Sequence, residues 1–251
     1  YKELREELQR KGHIFATHTD SEVLIHGFEE WREGLLNRLR GMFGFAIWNT
    51  VDKSLFIARD FFGIKPMHYT KVGDHLVYGS EIKSILQFPG FEKKFNYDTL
   101  NNYLSFQYAV PPQTFFENLY CLLPGHYLWY KNGKITTTRY WEAMFEPQND
   151  MTEAQAVDKI EKVFANSVDT HKISDVEVGC FLSSGVDSSY VSTYFPGQKA
   201  FTVGFDFGEK YNEIDFAKRT ADIVGLDHHY KVISSDEFWG NIKNVQYHMD
   251  Q

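Results

Sequence analysis

The sequence predicts two regions of different fold class. Residues 1–146 read as α+β built on antiparallel sheet, and residues 147–251 as α/β built on parallel sheet. Three observations carry this. Up to Arg139, apolar segments are joined by hairpin turns at Thr50 to Lys53, Gly73-Asp74 and Asn132-Gly133. After Met151, apolar strand-like runs alternate with helical patterns, the mark of crossover connections and a parallel sheet. Between them, Phe145 to Met151 is polar and carries Pro147, as domain boundaries do.

The elements follow in order. Tyr1 to Lys11 is helical, with Leu4 and Leu8 inward and Gly12 as its stop. Asp20 is expected to cap the helix that carries Val23, Leu24, Phe28 and Trp31. Gly41 to Asn49 and Ser54 to Ala58 form a hairpin. Arg59 to Pro66 is a charged, kinked loop. Strands at Met67 to Thr70 and Leu76 to Tyr78 precede a short helix opened by Ser80-Glu81-Ile82-Lys83. A helix spans Asn96 to Phe106, and Asn132-Gly133 turns one strand into Ile135 to Arg139. Thr152-Glu153-Ala154-Gln155 is a capping box. The helix it starts places Val157, Ile160, Val163, Phe164 and Val168 at core spacing. Strands at Val176 to Leu182, Phe201 to Phe205 and His229 to Ile233 alternate with helices after the first, from Glu213 to Val224, and after a second box at Ser234 to Glu237.

Composition narrows the function. Apolar residues make up 43% and aromatics 17%, so a packed core rich in Phe and Tyr is expected. A net charge of −8 and the lack of a basic cluster argue against a nucleic-acid partner. Cys121 and Cys180 are too few for a disulfide framework or a metal site, which points to a reducing, cytoplasmic setting. No apolar run is long enough to span a bilayer, and none reads as a signal peptide.

One stretch organises the chain: Phe181-Leu182-Ser183-Ser184-Gly185-Val186-Asp187-Ser188-Ser189-Tyr190. A buried strand leads into small residues and then a helix start, with Asp187 or Ser188 as N-cap. Backbone N–H groups and the helix dipole make such a turn an anion site. It is not a Walker loop, because Asp187 stands where that loop has a cation. A carboxylate beside a phosphate makes sense when it holds a divalent metal. The plain alternative is a well-capped βα turn.

The stretch resembles the pyrophosphate loop of the ATP pyrophosphatases, Ser-Gly-Gly-Xaa-Asp-Ser/Thr. It matches at Ser183, Gly185, Asp187 and Ser188, and has Ser184 where the pattern has Gly. The first half resembles the N-terminal-nucleophile glutaminase domain of the glutamine-dependent asparagine synthetases. The resembling segments are Thr19 to Val23, Gly41 to Trp48, Arg59-Asp60 with Gly63 to Pro66, Ser80 to Lys83, Leu123 to His126 and Arg139 to Trp141.

This resemblance implies the end of a glutaminase domain over 1–146 and the beginning of an ATP-pyrophosphatase synthetase domain over 147–251. It implies ATP-dependent amidation of aspartate through an aspartyl adenylate, with ammonia from glutamine. ATP and Mg2+ are the expected cofactors, and glutamine, aspartate and ATP the partners, with a homodimer left open. Residue by residue, it assigns Ser183, Ser184, Gly185, Asp187 and Ser188 to pyrophosphate and Asp187 to the metal. Phe181, Leu182 and Val203 are assigned to adenosine, with core packing as the alternative. Asp20 is assigned to the α-ammonium of glutamine through a buried ion pair, with helix capping as the alternative. The nucleophilic Cys is expected ahead of Tyr1, leaving no catalytic residue in this stretch and Cys121 and Cys180 as buried hydrophobes. Two rivals stay open: a relative that adenylates a different acid, and a nucleotide-binding module without turnover.

Overall fold

The computed structural model describes residues 1–147, 150–206, 208 and 212–250. Gln148 and Asn149 of the Phe145–Met151 boundary segment lie outside the described residues. The chain divides into two compact units, Tyr1–Phe145 together with Asp250, and Glu146–Met249.

In the first unit, α1 (Lys2–Arg10) buries Leu8 and ends at Gly12, whose φ of +97° favours glycine. Helix α2 (Asp20–Trp31) runs on into a 3-10 segment, Arg32–Arg38, that buries Leu35 and Leu36. Gly27 permits this approach, since a Cβ there would fall 2.7 Å from Leu35 Cδ1. Strands β1 (Gly44–Asn49) and β2 (Ser54–Arg59) form the expected hairpin. The hairpin β3 (His68–Val72) and β4 (His75–Gly79) is followed by the short helix α3 (Ile82–Ile85). Helix α4 (Tyr97–Phe106) is capped by Asn96, whose Oδ1 accepts from Thr99 N–H. The three-residue strand β5 (Leu119–Cys121), not anticipated from the sequence, pairs with β3. It is too short for an alternation to register. Strands β6 (His126–Lys131) and β7 (Lys134–Arg139) meet at the Asn132-Gly133 turn, where both φ values are positive.

Two antiparallel sheets result, in the orders β1-β2-β6-β7 and β4-β3-β5. Strand β2 is buried along its whole length. The two-residue period sends Phe56 and Ala58 into one cluster with Phe28, Leu35 and Leu36. It sends Leu55 and Ile57 into another with Met67, Leu122 and Leu128. Phe56 anchors the first, with ring centroids 4.7 Å from Phe28, 5.1 Å from Trp129 and 5.3 Å from Tyr127.

The second unit carries a parallel sheet in the order β10-β9-β8: β8 (Cys180–Phe181), β9 (Lys199–Phe205) and β10 (Asp227–Ile233). Helices α5 (Glu153–His171), α6 (Val186–Ser192), α7 (Ile214–Val224) and α8 (Ser235–Met249) surround these strands in sequence. The Thr152–Gln155 capping box is formed in both directions, and Ser234 Oγ accepts from Glu237 N–H. Helix α7 stops at Gly225, which is left-handed.

Two expectations need correction. The strand expected at Val176 to Leu182 is two residues long, and Val176 is exposed. Its neighbour β9 begins at Lys199, and Cys180 pairs with Ala200, so residues ahead of Gly179 have no ladder partner. Helix α5 also buries less than its spacing suggests. Val168 joins the core with Phe164 packed against it, while Val157, Ile160 and Val163 are exposed. The core of this unit covers only the C-terminal half of that stripe.

Candidate functional site

The loop between β8 and α6 is pinned at its base. Leu182 N–H donates to Phe201 C=O at 2.9 Å, and Thr202 Oγ1 donates to Leu182 C=O at 2.7 Å. Three serines then shape the turn. Ser183 N–H donates to Ser188 Oγ at 3.2 Å, the two hydroxyls lie 2.8 Å apart, and Gly185 N–H donates to Ser183 Oγ at 3.1 Å. Ser189 Oγ donates to Gly185 C=O at 2.8 Å. The N-cap is Gly185, in extended backbone, and not Asp187 or Ser188. Helix α6 thus starts earlier than expected, because the Ser183–Ser188 pair closes the turn before Asp187. Asp187 sits in the first turn and is exposed.

Ser184 is not among the residues with positive φ, so the missing glycine costs no backbone strain there. Gly185 has φ −72°, and its role is closeness: an added Cβ would fall 3.2 Å from Ser183 Oγ. Ser184 N–H points out of the turn and donates to Glu213 Oε2 at 3.3 Å. Glu213 stands at the start of α7 without a side-chain capping bond, so its carboxylate is used on this loop. A loop amide is therefore aimed at an anionic oxygen, and a phosphate oxygen would compete for the same donor. Asp187, exposed in the first turn of α6, is the carboxylate that could hold a metal beside such an anion.

The three residues assigned to adenosine separate. Phe181 and Val203 are exposed on β8 and β9, at 84% and 49%, which leaves apolar surface for a flat ring. Leu182 is 2% exposed and belongs to the core, so packing accounts for it.

Asp20 is the first residue of α2 and is exposed. Thr19 is the cap, with its Oγ1 accepting from Glu22 N–H. The capping role expected of Asp20 is taken by its neighbour, and the carboxylate accepts from Ser21 Oγ. Glu22, which the sequence reading did not single out, holds the preceding loop: Oε1 accepts from Ala16 N–H and Oε2 from Thr17 N–H. The Thr17 hydroxyl and the Ala16 amide hold its carboxyl down at about 2.

The charged Arg59–Pro66 loop proves to be structural. Arg59 donates to the carbonyls of Gly63, Lys65 and Leu122, and buried Asp60 accepts from the amides of Phe62, Ile64 and Lys65. Cys121 Sγ accepts from Arg59 Nη1 at 2.9 Å, yet burial outweighs the cation and pushes the thiol up. Cys180 is buried and its thiol is raised by burial. Neither resembles an activated nucleophile.

A family model described as a glutamine amidotransferase domain matches residues 1–141, and one described as asparagine synthase matches residues 159–251. The chain belongs to the glutamine-dependent asparagine synthetase family. It is 37% identical over its whole length to asparagine synthetase [glutamine-hydrolyzing] 1 of Bacillus subtilis, and covers 40% of that protein. It is 35% identical to a putative asparagine synthetase [glutamine-hydrolyzing] of Mycobacterium bovis, again over 100% of this chain and 40% of the other. Amidase chyE of Penicillium rubens is 28% identical over 94% of this chain and 38% of its own length. The chain spans about 40% of the length of the curated synthetases it matches over its whole length. No helix among the described residues is long and apolar enough to cross a membrane.

Proposed function

We propose that the protein carrying this chain amidates aspartate to asparagine, with ATP as energy source and glutamine as nitrogen donor. The observation that carries the reading is the Ser183–Ser188 turn at the carboxyl end of β8, with Ser184 N–H aimed at a carboxylate oxygen. In open parallel sheets that edge is where ligands bind. A phosphate that displaces Glu213 gains the Ser184 amide and the first-turn N–H groups of α6. Asp187 would hold Mg2+, which supplies charge to offset the leaving pyrophosphate. The substrate carboxylate then attacks the α-phosphorus, the bond to the pyrophosphate oxygen breaks, and ammonia attacks the acyl adenylate to release AMP. Phe181 and Val203 would flank the adenine ring. In the first unit, Asp20 would pair with the α-ammonium of glutamine.

A second reading concerns the acceptor. Two relatives named as amidases, at 28% and 30% identity, cover 94% and 89% of this chain, so the same two-domain plan serves proteins named for other activities. ATP–pyrophosphate exchange by the full-length protein separates the readings. Exchange with aspartate well above that with other carboxylic acids is expected. Exchange with another acid alone moves the protein to the second reading, and no exchange with any acid removes both.

A further inference from the structure

Among the described residues, one group of His, Cys, Asp and Glu side chains offers ligand atoms all within 4.8 Å of one another: His13, His26 and Glu29. It lies on the flank of α2, within the first unit. His26 and Glu29 are three residues apart on the helix, hence on one face. His13 reaches that face because the chain turns at Gly12 and His13 N–H returns to Leu8 C=O at 3.0 Å.

Two of the three spacings between ligand atoms are close to those around an ion, and the third is within 4.8 Å. His13 Nδ1 lies 3.2 Å from His26 Nδ1, and His26 Nδ1 lies 3.5 Å from Glu29 Oε2. Tetrahedral zinc with bonds near 2.05 Å spaces its ligand atoms about 3.3 Å apart. The far ring nitrogens are also engaged. His13 Nε2 lies 3.4 Å from Glu30 Oε2, and His26 Nε2 lies 3.6 Å from Glu22 Oε1. Carboxylates there favour the tautomer with the proton on Nε2 in both rings. Each Nδ1 then presents a lone pair, and the two lone pairs face each other. A metal ion between them takes up both lone pairs; without one, the Nδ1–H of one ring donates to the other Nδ1. Both imidazoles are mostly buried, with side chains 17% exposed, while Glu29 is open to solvent. Three carboxylates surround the rings, against Lys11 paired with Glu30 and Arg5 stacked on Phe15.

We propose that His13 Nδ1, His26 Nδ1 and Glu29 Oε2 bind a divalent transition cation of the zinc class, with a fourth position open to water. Glu22 and Glu30 orient the rings as outer partners. The ion ties the segment after α1 to α2 and so stiffens the stretch that ends at Asp20.

The test uses the full chain, stripped by chelator and titrated with ZnCl2 by calorimetry. One equivalent is expected to bind, and saturation should raise the thermal midpoint by roughly 5 °C. His13→Ala and His26→Ala should each abolish this binding. Glu30→Gln should weaken it about tenfold. His171→Ala, on α5, should leave it unchanged. In the unmodified chain, 15N spectra should show zinc on Nδ1 of both His13 and His26 with protons kept on Nε2. That measurement decides the matter even if a histidine variant fails to fold. Absence of stoichiometric binding, binding that survives both histidine substitutions, or zinc on the Nε2 atoms would each overturn the proposal.

Discussion

At the scale of the residue, short polar side chains decide the chemistry and mostly spend themselves on backbone. Ser183 and Ser188 close the turn on each other, and Thr19 rather than Asp20 caps α2. Asp187 and Asp20 are left exposed, with no capping bond to protect. Asp187→Asn keeps the shape and removes the charge. In the full-length protein it should lower ATP–pyrophosphate exchange at least about 100-fold while the glutaminase rate stays near normal. ADP as the product would refute the assignment. Asp20→Ala should raise KM for glutamine about 10- to 100-fold, the loss of a charged hydrogen bond worth roughly 1.5–3 kcal/mol. Synthesis from free ammonia should be unaffected. An equal loss with ammonia as donor would mean that Asp20 supports the fold. Ser184→Gly, at a residue without positive φ, should destabilise by about 0.4–1 kcal/mol through chain entropy, read from urea unfolding. A stabilised variant would contradict the backbone described here.

At the scale of the element, the β1–β2 hairpin is held by its turn. Asn49 Oδ1 accepts from Val51 N–H, and Asp52 accepts from Ser54 Oγ and from Lys131 Nζ of β6. Lys131 first, then Ser54, hold the Asp52 carboxyl down at about 2. A lowered folded-state value means that the carboxylate contributes stability above its unfolded value of about 3.9. That contribution is lost as pH falls through about 2. Unfolding of the chain should therefore ease between pH 4 and 2, and Asp52→Asn should flatten part of that slope. Because both side chains are partly exposed, salt should shrink the difference. An identical slope in the variant would show that Asp52 does not carry it.

At the scale of the whole molecule, each unit has its own core, the first around two antiparallel sheets and the second around one parallel sheet. The first is aromatic and sits on both faces of β2. The second is built from small residues, with Ala200, Ala217 and Ala221 letting α7 lie close on β9. Phe56→Ala removes a ring packed against four others and should cost about 3–5 kcal/mol. The effect should be seen in hydrogen exchange of β1, β2 and β6, with the amides of β9 and β10 unchanged. Equal loss of protection in both units would mean that they unfold as one.

What the sequence determined by itself was local or periodic. Turn residues such as Asn132-Gly133, the Thr152–Gln155 box and the strand–helix alternation after Met151 act within a few residues, so pattern alone places them. The serine turn was legible for the same reason, since its residues bond to one another across five positions. Tertiary structure decided whatever depends on a distant neighbour. The strand before the turn shrank to Cys180–Phe181 because β9 begins at Lys199, and Leu182 went to the core while Phe181 stayed in solvent. Ser184 met Glu213 across 29 positions, and His13 met His26 across the turn that follows α1. No spacing rule encodes such meetings, because they arise from how elements pack and not from the period of any one of them.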